Sequence, residues 1–322
     1  MFKRSVDRQI VREFSETLAL MALTAPALGQ VTELTPMAGA TGLGQPTAFI
    51  RPMEADFSVQ TQTYLVTDAG QPGGPGIIME WDDPQSNVVW SYGPATGGGA
   101  LKDPSAAESL GNGEVAIADT GNHRVLIVNH TGQITWNSAN VTFSDGKQLR
   151  GPVDIRILPD STPSMSDNPI LITCKANNRV VVVTRAGQVA WAMNAGLSAP
   201  LKAERLANGN TLITDSGNHR VIEVNTSKQI VASFHPNYPT DSHLASAKRL
   251  PDGSTFILDA GYGQLLQYWP NQSEPEIADT GNHLVGGTDI DAGGEFDWLL
   301  TTPAAILQGT ARNWEYLAQV SQ

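Results

Sequence analysis

Apolar and polar positions along the middle of the chain follow a repeated phrase. ADTGNHRVLIVNHTGQITW at 118–136 recurs as TDSGNHRVIEVNTSKQIVASF at 214–234, and a decayed copy, TCKANNRVVVVTRAGQVAW, lies between them at 173–191. Asp119 and Asp215 stand 96 residues apart, two units of 48. A second register precedes each copy, with Leu110, Leu206 and Leu250 each nine residues before Asp119, Asp215 and Asp259. In the decayed copy Leu158 is sixteen residues before Cys174, so seven residues are inserted there, with SMSDNPI as the candidate.

The phrase predicts four short antiparallel strands per unit. The first ends at the leucine. Asn112-Gly113, Asn208-Gly209 or Asp252-Gly253 then supplies the positive φ angles of a tight hairpin. A second strand, such as Val115–Ala118 or Thr211–Thr214, runs to the aspartate. The Asp-Thr/Ser-Gly-Asn-His-Arg loop turns the chain into a nearly all-β-branched third strand: Val125–Val128, Val180–Val183 or Val221–Val224. A turn at Thr131-Gly132 or Ala186-Gly187 leads to an outer strand bearing Trp136 or Trp191, with no helical period in between. At that offset the third full copy carries Ala232, with Phe234 two residues on.

A lone sheet of this kind leaves both faces wet, whereas sheets stacked in a closed ring bury them. The expected fold class is therefore an all-β β-propeller over residues 30–322. Six four-stranded blades are expected, five and seven being the neighbouring counts. YLVTDAG at 64–70 reads as the second strand of the earliest blade, which GIIMEW and NVVW with Trp90 complete. Towards the C-terminus IADTGNH at 277–283 repeats the loop, while PAAILQG at 303–309 reads as a first strand and WEYLAQV at 314–320 as a second. Strands near residue 30 (QVTEL) are expected to complete that last blade, closing the ring with both chain ends.

The phrase D-[TS]-G-N-H-R-V with its following strand resembles the NHL repeat. The longer phrase LANGNTLITDSGNHRVIEV also resembles secreted propellers of the PQQ-like or arylsulfotransferase-like kind. The resemblance spans about residues 45–270 and implies a propeller. For function it implies only a range, since NHL-type propellers serve as protein-binding platforms, RNA readers and relatives of amidating lyases.

Composition narrows that range. The 322 residues carry 20 Lys and Arg against 32 Asp and Glu, a net charge of −12, which argues against nucleic acid as a partner. One cysteine, Cys174, excludes an intramolecular disulfide framework and a cysteine-rich zinc site. Residues 1–29 combine Lys3, Arg4, Arg8 and Arg12 with the stretch LALMALTAPALG, the pattern of a signal peptide, or else of an N-terminal extension on a cytoplasmic protein. A secreted or periplasmic location follows from the first reading, and no other apolar run is long enough for a membrane span.

Two sets of candidate residues stand out. Asp119, Asn122, His123 and Arg124, repeated as Asp215, Asn218, His219 and Arg220, read as a structural loop. In it the aspartates accept loop amides, the asparagines take the left-handed conformation and the arginines bridge blades. His283 is a third histidine of this kind, but copies spaced around a ring cannot share one metal ion. Cys174, in the aspartate position, reads as a buried inert thiol. Glu108, Arg156, Glu204 and Lys248 share one position on the innermost strands and are the channel-lining ligand candidates. No catalytic set, metal site or cofactor motif is visible. The expected function is thus a non-catalytic binding or scaffold module for a protein, peptide or glycan. The alternative is an enzyme at the channel mouth, a metal-assisted lyase or hydrolase using calcium or a dehydrogenase using PQQ.

Overall fold

The structure is a computed structural model. It describes residues 49–319 apart from 59–60, 82–87, 94–99, 160–167, 237–241, 271, 273, 281–283, 294–296, 303–304 and 311–312. The expectations for residues 1–29, for QVTEL and for His283 lie outside the described residues.

The strands form six four-stranded antiparallel sheets, each built from four consecutive strands. The first holds β1 (Pro52–Ser58), β2 (Thr63–Asp68), β3 (Ile77–Trp81) and β4 (Val88–Tyr92). The second holds β5 (Ala106–Ser109), β6 (Glu114–Asp119), β7 (Arg124–Asn129) and β8 (Ile134–Asn137). The third holds β9 (Pro152–Ile157), β10 (Ile170–Cys174), β11 (Arg179–Val183) and β12 (Val189–Met193). The fourth holds β13 (Lys202–Arg205), β14 (Thr211–Asp215), β15 (Arg220–Val224) and β16 (Ile230–Phe234). The fifth holds β17 (Leu244–Arg249), β18 (Thr255–Asp259), β19 (Gln264–Tyr268) and β20 (Glu276–Thr280). The sixth holds β21 (Asp289–Gly293), β22 (Asp297–Thr301), β23 (Ala305–Thr310) and β24 (Asn313–Gln319).

The innermost strands β1, β5, β9, β13, β17 and β21 each lie against the next, and β21 lies against β1. Closure therefore differs from the expected mixed blade. The last sheet takes all four strands from the C-terminal end, and the ring shuts by side-to-side packing of whole sheets. PAAILQG supplies a third strand and WEYLAQV a fourth, each two places later than the sequence suggested. IADTGNH begins inside β20, the outer strand of the fifth sheet, because that sheet pairs Leu265 with Asp279.

The core lies in the seams between sheets. Ile117 and Val128 of the second sheet pack with Leu65 and Trp90 of the first, and Val181 and Val183 of the third pack with Ile127 and Trp136 of the second. Alternate residues of a strand face opposite seams, so the third strands, of which β11 carries four consecutive valines, are buried on both faces. In the Asn112-Gly113, Asn208-Gly209 and Asp252-Gly253 pairs only the glycine takes positive φ, at 81°, 83° and 86°. The residue before it does a different job from that expected: Asn112 Oδ1 accepts Glu114 N–H at 3.1 Å and Asn208 Oδ1 accepts Asn210 N–H at 2.9 Å.

Candidate functional site

Two residues per innermost strand point to the ring axis. Pro52-x-Glu54-x-Asp56, Pro104-x-Ala106-x-Glu108, Pro152-x-Asp154-x-Arg156 and Pro200-x-Lys202-x-Glu204 keep one spacing. Ser246 and Lys248 on β17, and Asp289 and Asp291 on β21, occupy the same two layers. In the layer nearer the Asp-Thr-Gly-Asn-His-Arg loops, Lys202 Nζ sits 2.8 Å from Glu54 Oε1, 3.4 Å from Asp154 Oδ1 and 3.2 Å from Asp289 Oδ2. These groups are buried, so the ammonium and three carboxylates bridge the axis between the first, third, fourth and sixth sheets. Backbone donors fix the carboxylates: Ala107 N–H donates to Glu54 at 2.9 Å and Ala203 N–H to Asp154 at 2.9 Å, while Ser246 Oγ donates to Asp289 at 2.7 Å.

The second layer holds the four expected channel residues. Arg156 Nη1 reaches back to Glu54 at 3.0 Å, and Lys248 Nζ lies 3.1 Å from Asp291 and 3.4 Å from Glu204. Glu108 accepts Ile157 N–H at 2.7 Å. Arg156, Lys248 and Glu204 keep about a fifth to a quarter of their side-chain surface wet, so this layer is a shallow vestibule floored by the Lys202 layer. The structure brings Glu204 and Lys248 together, while Arg156 pairs with Glu54 and Asp154. Glu54, Asp56, Asp154, Lys202, Asp289 and Asp291 were missed. The Pro-x-polar-x-charged spacing could have found those of the first and third to fourth sheets.

Seven carboxyl groups share this column with three cations, and their proton affinities separate. Burial pushes Glu108 up to about 8, against the opposing pull of Arg156. Burial also lifts Asp289 to about 7, with Lys202 opposing and Glu54 adding to the rise. Asp56 is raised well above the carboxylate range by burial and by Asp291, to which it is hydrogen-bonded. Burial alone would also raise Glu54 and Asp291, but Lys202 and Arg156 beside Glu54, and Lys248 beside Asp291, hold both below their ordinary values. Carboxyls that keep a proton reduce the excess negative charge that the closed centre must hold.

The repeat loop is a tight hydrogen-bonded turn in which the residues share the work differently from expectation. Asp119 Oδ1 accepts Lys102 N–H at 2.7 Å, while Oδ2 accepts Arg124 Nε at 2.6 Å and Asn122 Nδ2 at 2.9 Å. Asp215 repeats the set with Ser198, Arg220 and Asn218. Arg124 and Arg220 thus bind the aspartate of their own sheet through Nε, while Nη2 donates to Ala100 O and Gly196 O in the segments that lead in from the preceding sheets. The left-handed residues are His123 (φ 56°) and His219 (φ 51°), since Asn122 and Asn218 end a single 3-10 turn. That conformation swings each imidazole to the next sheet: Gly151 N–H donates to His123 Nδ1 at 3.0 Å, and His219 Nδ1 lies 2.8 Å from Ser242 O. In the decayed copy Asn178 (φ 53°) takes over, its Oδ1 accepting Ala199 N–H at 2.8 Å. Among the described residues no group of three His, Cys, Asp or Glu side chains is arranged to hold a metal ion. Cys174 accepts Arg150 N–H, and burial pushes its thiol up to about 12.

A second clasp lies at the rim. Trp90 Nε1 donates to His130 O (3.1 Å), Trp136 Nε1 to Arg185 O (2.8 Å) and Trp191 Nε1 to Thr226 O (3.2 Å). Each indole reaches from an outer strand to the turn between the third and fourth strands of the next sheet. Those three tryptophans face Glu80, Ile127 and Val182 in register, and Ala232 faces Glu223 at the same place in the fourth sheet. There the slot is a groove of about 420 Å³, lined among others by Ala232, Phe234, Gly253, Tyr268, Trp269 and Pro270. Pro270 holds the place that Thr226, Arg185 and His130 hold at the clasped junctions. Beside the groove β16 is the edge strand of its sheet, with Ile230 and Val231 about half exposed.

No family model and no curated protein matches the chain. Solved structures do. Selenomethionine-substituted virginiamycin B lyase from Staphylococcus aureus is 15% identical over 80% of each chain, with a TM-score of 0.55. A streptogramin B lyase is 11% identical over 83% of this chain and 94% of its own, with a TM-score of 0.56. The WD40 β-propeller domain of Doa1 is 10% identical over 77% of this chain and 74% of its own, also at 0.56. At such identities the likeness is one of fold, and the chain is a β-propeller of four-stranded blades. NHL or PQQ-like kinship rests on the repeat residues alone. No helix among the described residues is long and apolar enough to cross a membrane.

Proposed function

We propose that this propeller is a secreted or periplasmic binding module that receives a peptide, or an extended segment of a protein partner, at the groove between the fourth and fifth sheets. The reading rests on one observation: Ala232 stands where three other junctions carry a tryptophan. Those junctions define what the slot accepts, a flat aromatic ring with an N–H directed at a turn carbonyl. A partner's aromatic side chain supplies the ring, and its backbone adds to the open edge of β16. Peptide is favoured over glycan because the intact slots hold an indole and the adjoining edge offers backbone hydrogen bonds.

Peptides selected from a random display library against the full chain, then titrated by calorimetry, test the reading. Selected peptides are expected to share an aromatic residue and to bind Ala232→Trp at least tenfold more weakly, as its own indole fills the slot. Equal affinity for Ala232→Trp overturns the groove as the site. Stoichiometric calcium or a quinone absorption band in the purified protein would instead support the enzyme at the channel mouth.

A further inference from the structure

The loop end of the ring gathers basic groups that the acidic composition conceals. Just ahead of five innermost strands a residue donates its backbone N–H to the loop residue of its own sheet: Arg51 to Asp68, Lys102 to Asp119, Arg150 to Cys174, Ser198 to Asp215 and His243 to Asp259. This shared backbone role gathers the five residues at one end of the ring, and four of the five are Arg, Lys or His. Arg51 is engaged by Asp103 and Gly70 O, whereas Lys102, Arg150 and His243 are exposed. Lys175, exposed in the 3-10 turn Lys175–Asn177, joins them.

These groups form a connected arc. A Cβ at Gly121 would fall 2.7 Å from Lys102 Cγ, which places the lysine stem on the turn leading to His123. Gly151, next to Arg150, donates to His123 and accepts Lys175 N–H at 2.9 Å. Lys175 and His219 are near enough to His243 to lower its proton affinity beyond the effect of burial. Four carboxylates at this end are matched by cations, Asp119 and Asp215 by their own arginines, Asp103 by Arg51 and Asp145 by Arg179, whereas Asp68 takes backbone N–H donors and Asp259 lies buried beside His243, whose proton affinity it raises against the pull of Lys175 and His219. Between Asn122, His123, Phe143, Gln148 and Arg150 the surface dips into a groove of about 380 Å³. His123 accepts at Nδ1, so its Nε2 carries the proton and is a donor.

We propose that this face binds a compact polyanion, a ligand with two or more carboxylate or phosphate groups engaged by Arg150 and Lys175 with His123 as a neutral donor. The site is separate from the rim groove and stands whether or not that groove takes a peptide. Calorimetric titration of the full chain with citrate and with inorganic pyrophosphate at low salt tests it, beside the Arg150→Gln/Lys175→Gln double variant. Lys228→Gln, in the turn between β15 and β16 at the opposite end of the ring, is the control. Expected is binding of at least one probe by the wild type and Lys228→Gln, weakened at least tenfold in the double variant and by added salt. Both substituted side chains are exposed, so thermal unfolding of the double variant should match the wild type. Binding of neither probe, undiminished binding by the double variant, or equal loss in Lys228→Gln overturns the proposal.

Discussion

The junction between the second and third sheets and the junction between the fourth and fifth are built from one repeated unit, yet they are closed differently. At the first, His123 fastens the loop end and Trp136 the rim. At the second, His219 keeps the loop-end clasp and Ala232 leaves the rim slot open. The difference shows that the two clasps are separable: at the second junction a seam including Leu212, Leu244 and Leu266, the histidine, and Tyr268, which packs on Phe234 and donates to His235 O at 2.8 Å, hold the sheets together without the indole. A rim position is therefore free to change from fastening the ring to receiving something else.

The comparison can be broken most forcefully by Trp136→Ala, which converts the closed junction into a copy of the open one. Losing a largely buried indole should cost about 3–5 kcal/mol and lower the melting temperature by several degrees, as calorimetry would record. Stability unchanged by this substitution would mean that the rim clasp closes nothing. Next, Asp119→Ala and Asp215→Ala should each cost about 3 kcal/mol, because each strips a buried carboxylate from an arginine, an asparagine and a backbone N–H. The two should match, since the loop-end clasps of both junctions are intact.

Acidity should act on the ring centre beneath every junction alike. Glu108 and Asp289 bind protons more tightly when folded, so their contribution is fully present below the ordinary carboxyl range. It is lost as pH rises through about 7 and 8. Denaturant midpoints should therefore fall between pH 5 and 8.5, and Glu108→Gln should flatten the slope. The smallest effect is expected from Cys174→Asp, which restores the repeat's carboxylate beside Arg150 N–H and Arg179. Arg179 already has Asp145, so the gain should be about 1 kcal/mol, on the order of 2 °C in thermal melts.

Strand order was legible because each unit carries its own punctuation: a glycine hairpin, a β-branched strand, an aspartate loop. The tryptophan offset was legible too, including its loss at Ala232. The site was less so, because its chemistry is settled by residues far apart in the chain. Lys202 meets Glu54 across 148 positions, and Arg156 meets it across 102. Spacing within one unit says nothing about which neighbour across the axis a charge will find. The left-handed bend escaped for a different reason. Asparagine is the usual occupant of that conformation, yet in the intact copies histidine takes it, because the asparagine is spent as the last residue of the 3-10 turn. Closure was misread at the C-terminus, where the repeat residues have worn away while the strand pairing persists.

The bridge at the axis also sets a timetable for biogenesis. Lys202 is born into a chain that already contains Glu54 and Asp154, but Asp289 leaves the ribosome only after the whole fourth and fifth sheets. Until then the hub lacks its last counter-charge and the first sheet has no final neighbour to lean on. Nascent chains should thus remain unlocked until β21 emerges, and a stop codon just ahead of β21 should leave a wheel without its closing spoke.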